Sequence, residues 1–141
     1  MEKKILIVDD EVNFSVLLAK RLTQAGYIVE SASNGKEAIG SYIKALYDKA
    51  PFSVILLDMR MPDLNGIETL EILRQEEKLR GIKSGAGVSV IVLTAYDEPW
   101  MDPLMIKDCD DYIVKSCDNK ELIRKIGNCI KKKSKRANPP K

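Results

Sequence analysis

Short apolar runs alternate along this chain with longer amphipathic stretches. Residues 4–8 (Lys-Ile-Leu-Ile-Val), 53–57 (Ser-Val-Ile-Leu-Leu) and 88–93 (Val-Ser-Val-Ile-Val-Leu) are almost wholly apolar. Runs that short and continuous read as strands buried on both faces, as in a parallel sheet. Residues 27–32 and 111–114 read as two further strands. Between them apolar positions recur with a helical period: Phe14, Leu17, Leu18, Leu22 and Ala25; Ala38, Ile39, Tyr42, Ile43 and Leu46; Ile67, Leu70 and Leu73; Leu122, Ile123, Ile126 and Ile130. The punctuation agrees. Asp10 or Asn13 is a candidate N-cap for the first helix and Gly26 its C-cap. Asn34-Gly35 marks a turn, Pro51 closes the second helix, Asp63-Leu64-Asn65-Gly66 is turn chemistry, and Asp118 caps the last helix. Residues 75–87 turn polar and glycine-bearing, a helix extension giving way to a loop. Pro99 and Pro103 cannot share one regular helix, so a helix after the fourth strand is short, starting near Pro103, or kinked there. Five repeats of strand then helix predict an α/β fold with a five-stranded parallel sheet, right-handed crossovers and helices on both faces.

Composition narrows the picture. A chain of 141 residues with 45% apolar and 31% charged residues is expected to form one soluble domain. No apolar run approaches the roughly 20 residues of a membrane span, and the N-terminal run is too short for a signal peptide; the expectation is a cytoplasmic protein with no membrane partner. Cys109, Cys117 and Cys129 are odd in number and lack CxxC spacing, which argues against a disulfide framework or zinc knuckle. Histidine is absent. That excludes Ser-His-Asp and Cys-His catalysis, and any phosphohistidine must belong to a partner. Residues 131–141 carry six Lys/Arg and no acid, so residues 3–130 read as the domain and 131–141 as a basic, disordered tail or the start of a linker. Such a tail is most simply a solvated terminus. Nucleic acid is a partner only through an output domain that this chain does not contain.

Candidate chemistry gathers at strand ends. The first strand ends on Asp9-Asp10-Glu11, the third on Asp58, the fourth on Thr94 and the fifth on Lys115. In a parallel sheet all carboxyl ends face one rim, where ligands bind in open α/β folds. Three carboxylates there repel one another. Oxygen ligands without His or Cys favour Mg²⁺, or Mn²⁺, as the ion that relieves the repulsion. A lysine supplies positive charge and a threonine a donor for a phosphoryl group. These are the parts needed for phosphoryl transfer to Asp58.

Ile-Leu-Ile-Val-Asp9-Asp10-Glu11, Ile-Leu-Leu-Asp58-Met-Arg-Met61-Pro62-Asp-Leu-Asn-Gly66, Val-Leu-Thr94-Ala95 and Asp-Tyr112-Ile-Val-Lys115 occur in order at strand ends. Over roughly residues 3–130 the chain resembles a bacterial two-component response-regulator receiver domain of the chemotaxis type. The resemblance implies a flavodoxin-like sheet of order 2-1-3-4-5. It implies that Asp58 is the phosphoacceptor, Asp10 a direct metal ligand, Asp9 a ligand through water, and the backbone carbonyl of Arg60 a further ligand. It implies that Thr94 and Lys115 contact the phosphoryl group and that Thr94 and Tyr112 form the switch; Arg60 and Tyr96, bulky and two residues past Asp58 and Thr94, are expected to slow hydrolysis. The implied partners are a sensor histidine kinase or phosphotransfer protein, a downstream output domain or protein, and a second copy of the chain in a phosphorylation-dependent homodimer. More plainly read, Asp9 and Glu11 are helix N-terminal acids, Thr94 an N-cap, Lys115 a surface lysine and Tyr112 an edge aromatic.

Four departures qualify the resemblance, one being Asp108-Cys109 where the family has a small Gly-Ala pair before the fifth strand. Lys115 is followed by Ser116 where the family usually has proline, so a trans bond or a shifted turn there displaces the lysine. Residues 75–87 hold about eight residues more than the family pattern. Residues 97–107 predict a non-standard output face. Two alternatives stand beside the signalling module: a small-molecule phosphatase with an Asp nucleophile, and a degenerate receiver that only binds partners.

Overall fold

The computed structural model describes residues 3–95 and 109–137. Their elements run β1 (Lys4–Val8), α1 (Val12–Gln24), β2 (Ile28–Ala32), α2 (Gly35–Tyr47), β3 (Val54–Asp58), α3 (Gly66–Leu79), β4 (Ser89–Thr94), β5 (Asp111–Val114) and α4 (Asn119–Ala137). All five strands are parallel, in the order β2-β1-β3-β4-β5. The flavodoxin-like expectation is met.

The period-2 alternation of the strands divides the core into two layers. Leu6, Val8, Ile55, Leu57, Val90 and Val92 face one side and pack with Tyr42 of α2 and Leu70 and Leu73 of α3. Ile5, Ile7, Val54, Leu56, Ile91 and Leu93 face the other and pack with Leu18 and Leu22 of α1 and Leu122 and Ile126 of α4. Fully burying each such side chain is worth about 1.5–3 kcal/mol, so β1, β3 and β4 hold the sheet together. β2 lies at an edge, and its residues are largely exposed before Ala32.

Several boundaries differ from the sequence reading. Neither Asp10 nor Asn13 caps α1. Glu11 occupies the cap position without a side-chain cap, and Asp9 Oδ1 instead accepts the Glu11 N–H at 2.9 Å. Leu17 and Ile67 point outward. At the end of α1, Gly26 adopts φ +99° one residue past the C-cap Ala25, a conformation that favours glycine. Asn34-Gly35 is the start of α2, with the Asn34 side chain accepting from Glu37 N. Asn65 and Glu68 form a capping box on α3, and Asp118 Oδ1 accepts from Glu121 N at the start of α4.

Residues 131–137 do not begin a disordered tail; α4 runs through them to Ala137. Lysine, arginine and alanine are good helix formers, no glycine or proline intervenes before Pro139, and cations suit a helix C-terminus. The readings for 97–107 and for Tyr96 lie outside the described residues.

Candidate functional site

Asp9, Asp58 and Lys115 come from three strand ends that share one parity. Asp9 continues Ile5 and Ile7, Asp58 continues Val54 and Leu56, and Lys115 continues Ile113, all on the layer facing α1 and α4. The sheet therefore delivers them to one side of its carboxyl rim. Lys115 Nζ stands 2.8 Å from Asp9 Oδ2, 3.5 Å from Asp58 Oδ2 and 3.0 Å from Glu11 Oε1. Asp9 and Asp58 are buried, whereas Asp10 is exposed. One carboxylate oxygen from each of Asp9, Asp10 and Asp58 lies within 4.8 Å of the others.

The electrostatics follow from burial. Desolvation, and next the Asp9 charge, push the Asp58 carboxyl up to about 6; Lys115 and the Arg60 backbone N–H oppose the rise. For Lys115, burial acts downward, but the carboxylates of Asp9, Glu11 and Asp58 outweigh it and hold the ammonium above its ordinary value. One lysine thus balances several acids. Asp9 Oδ2 is fully buried and accepts no well-formed hydrogen bond; the Lys115 ammonium faces it as an ion pair only. A buried carboxylate oxygen that shares its one ammonium with two other acids, beside two further carboxylates, fits a hard divalent cation.

Gly66 sets how closely α3 approaches this rim. Its N–H donates to Met59 O at 3.1 Å, and a Cβ there would lie 2.6 Å from Asp58 O and 2.7 Å from Met59 Cα. Both obstacles are backbone, which cannot swing aside. Gly66→Ala is expected to destabilise the fold by about 1–3 kcal/mol and displace Asp58. Urea melts read the first effect and the amide NMR shift of Asp58 the second; wild-type values for both would overturn the expectation.

The remaining predicted residues take distinct places. The peptide bonds are trans among the described residues, that of Lys115–Ser116 included, yet Lys115 is not displaced from the acids. Its N–H donates to Thr94 O at 2.6 Å, and Cys117 N–H donates to Val114 O at 2.9 Å, a tight turn that needs no proline. Thr94 is buried at the end of β4. Tyr112 pairs in register with Val92, and Thr94 with Val114. Val92 and Thr94 share a parity, so the Thr94 and Tyr112 side chains leave the same face of the sheet. Tyr112 is half-buried against the α2–α3 layer, with Lys125 Nζ 4.6 Å from its ring centre. Arg60 is exposed, and its N–H donates to Asp58 Oδ1 at 3.3 Å.

Two features escaped the sequence reading. Glu11, read as a helix-end acid, binds Lys115, and the Phe14 ring lies 4.8 Å from the same ammonium. A buried polar network stands at the other end of the sheet. Glu77 Oε2 accepts from Tyr42 Oη and, at 2.7 Å, from Val88 N, while Glu77 Oε1 pairs with Arg74 at 2.8 Å. Arg74 also donates to Val88 O at 2.8 Å and pairs with Asp110 at 3.3 Å. A signal was present: Leu70, Leu73 and Glu77 share one face of a helix, provided the helix reaches residue 77.

The family described as "Response regulator receiver domain" matches residues 5–127. The alkaline phosphatase synthesis transcriptional regulatory protein PhoP of Bacillus subtilis is 35% identical, over 89% of this chain and 48% of that protein. The transcriptional regulatory protein ResD of the same organism is 33% identical, over 94% of this chain and 50% of that protein. This chain therefore spans about half the length of such relatives. Among solved structures, the response regulator protein TrrA from Thermotoga maritima, in complex with Mg(2+)-BeF, superposes with a TM-score of 0.71 at 32% identity, over 90% of this chain and 98% of that one.

Proposed function

From the premise that this chain belongs to the response regulator receiver domain family, we propose that Asp58 is its phosphoacceptor and the carboxyl rim its phosphorylation site. Receiver domains of this family are phosphoacceptor signalling modules, and the finer assignments rest on the rim itself. The observation that carries them is the convergence of three carboxylates and Lys115 at one end of the sheet.

Asp58 attacks phosphorus in line with the leaving nitrogen of a phosphohistidine on a partner kinase or phosphotransfer protein. The P–N bond breaks, a P–O bond to the carboxylate forms, and the nitrogen stays with the partner. Lys115 holds positive charge beside the incoming oxygens, and its ties to Asp9 and Glu11 orient it before the donor arrives. Asp9, Asp10 and Asp58, with the Arg60 carbonyl, are the residues that would hold Mg²⁺; when bound it supplies charge neutralisation for the phosphoryl oxygens. Thr94 donates its hydroxyl to the new group, and Tyr112, leaving the same face of the neighbouring strand, follows it as the switch. Arg60, exposed two residues past Asp58, shields the acyl phosphate and slows hydrolysis.

The relatives named above are transcriptional regulators of about twice this length. We infer a transcriptional output for this receiver, reached through a further domain or a separate protein, with pairing of two phosphorylated copies as one route. Among the described residues no helix is long and apolar enough to cross a membrane.

Incubation with acetyl phosphate and MgCl₂, followed by intact-mass measurement and peptide mapping, tests the assignment. A single phosphoryl adduct on Asp58, suppressed by EDTA, is the expected result. Continuous release of phosphate without a persisting adduct would support the phosphatase alternative. An unmodified protein would leave only a binding module.

A further inference from the structure

The loop after α3 helps to wall a cavity away from the carboxyl rim. A cavity of about 320 Å³ opens at the amino end of the sheet. Lys3, Ser53 and Val88 line it, and each immediately precedes a strand: β1, β3 and β4. Asp58, Thr94 and Lys115 mark the opposite ends of the parallel strands, roughly one strand length or about 16 Å away. Open α/β folds ordinarily bind ligands at the carboxyl rim, so this cavity is not part of the phosphorylation site. Its outer wall is the loop after α3, through Ile82, Ala86 and Gly87.

The wall is held, not draped. Gly87 lies so close to the Glu77 carboxylate that a Cβ there would be 2.1 Å from Oε1. The Val88 N–H is bound by Glu77, and the Gly87 carbonyl accepts a hydrogen bond from Lys133 of α4. The lining joins apolar side chains, Phe52, Ile82 and Ile130 among them, to the two lysines Lys3 and Lys133, and it contains no acid among the described residues. Its volume is at the lower end of cavities that take small organic ligands. Apolar walls favour a carbon body, and two lysines favour a negative head, the Glu77 carboxylate behind Gly87 being paired with Arg74.

We propose that this cavity binds a small amphiphilic organic anion, its carbon body against Phe52, Ile82 and Ile130 and its anionic head toward Lys3 and Lys133. Octanoate is the probe. Titration of the full chain, followed by amide NMR, is expected to give saturable shifts from one site at Ser53, Gly87 and Val88. Octanol has the same body without the charge and should bind about tenfold more weakly, a loss of roughly 1.4 kcal/mol. Lys3→Gln with Lys133→Gln should remove the preference for octanoate over octanol. Ala86→Phe, which fills the cavity from its loop wall, should remove binding of both. Retained dispersion of the amide spectrum shows that the variants fold. Shifts that fail to saturate or that map to exposed α1, octanol binding as tightly as octanoate, or indifference to both lysine changes would each overturn the proposal.

Discussion

Replacing Asp58 with asparagine is expected to abolish phosphoryl incorporation and, in magnesium-free buffer, to make the protein more stable at neutral pH. The first effect follows from removal of the nucleophile. The second follows from the cost of holding Asp58 ionised. Burial and the Asp9 charge raise its carboxyl from 3.8 to about 6, so the folded protein binds the proton more tightly than the unfolded chain does. The wild-type site is therefore most favourable below the unfolded value. Stability is lost as pH rises from about 4 through about 6, and the full cost persists above that. Asparagine does not titrate. The two proteins should be similar near pH 3.5, diverge between about 4 and 6, and differ by a constant amount at higher pH. A shift of that size, in which the opposing pull of Lys115 is already included, corresponds to about 3 kcal/mol at most, and about 1–3 kcal/mol is expected. Urea unfolding at a series of pH values in EDTA measures the gap. A wild-type protein more stable than the variant at pH 7.5 without metal would mean that the rim is not strained by its own charges.

The largest loss of stability should come from the other end of the sheet. Glu77 is only 3% exposed and serves Tyr42, Val88 and Arg74 together. Glu77→Ala leaves a buried hydroxyl and a buried N–H without this acceptor and strips Arg74 of an acidic partner. Such losses cost about 3–5 kcal/mol, a large share of the 5–15 kcal/mol typical of a domain. Glu77→Gln should recover only part of this. Its single oxygen can accept from Tyr42 and Val88, but its NH₂ then meets the Arg74 guanidinium. Burial and the Glu77 contact also raise the Tyr42 phenol well above its ordinary value, so the hydroxyl remains a donor throughout the working pH range. Denaturant melts of Glu77→Ala, Tyr42→Phe and the double variant check the network. A loss below about 1 kcal/mol for Glu77→Ala, or strict additivity in the cycle, would show that the network contributes little.

Lys115 shows why resemblance and structure had to be read together. A missing proline after it suggested a displaced side chain, yet β5 and the turn that follows are built from backbone bonds to Thr94 O and Val114 O. Neither bond uses the N–H of residue 116, and neither requires a proline there. The same reasoning accounts for α4. Polar residues 131–137 lack an apolar period, so they looked like tail, but continuing a helix already nucleated over Asn119–Ile130 requires only the absence of a breaker.

Alternation and period in one dimension were enough to determine the strand-helix order, the buried character of β1, β3 and β4, and the presence of Asp9, Asp58, Thr94 and Lys115 at one rim. Each of these depends only on which side chains avoid water and on the common direction of parallel strands. Partner choice among the charges was decided only by the tertiary structure. It set Glu11 against Lys115, folded Glu77 beneath the loop after α3, and lined a cavity with lysines from opposite ends of the chain. Such pairings join residues up to 104 positions apart, and no local pattern encodes which acid a given cation will meet once the layers close.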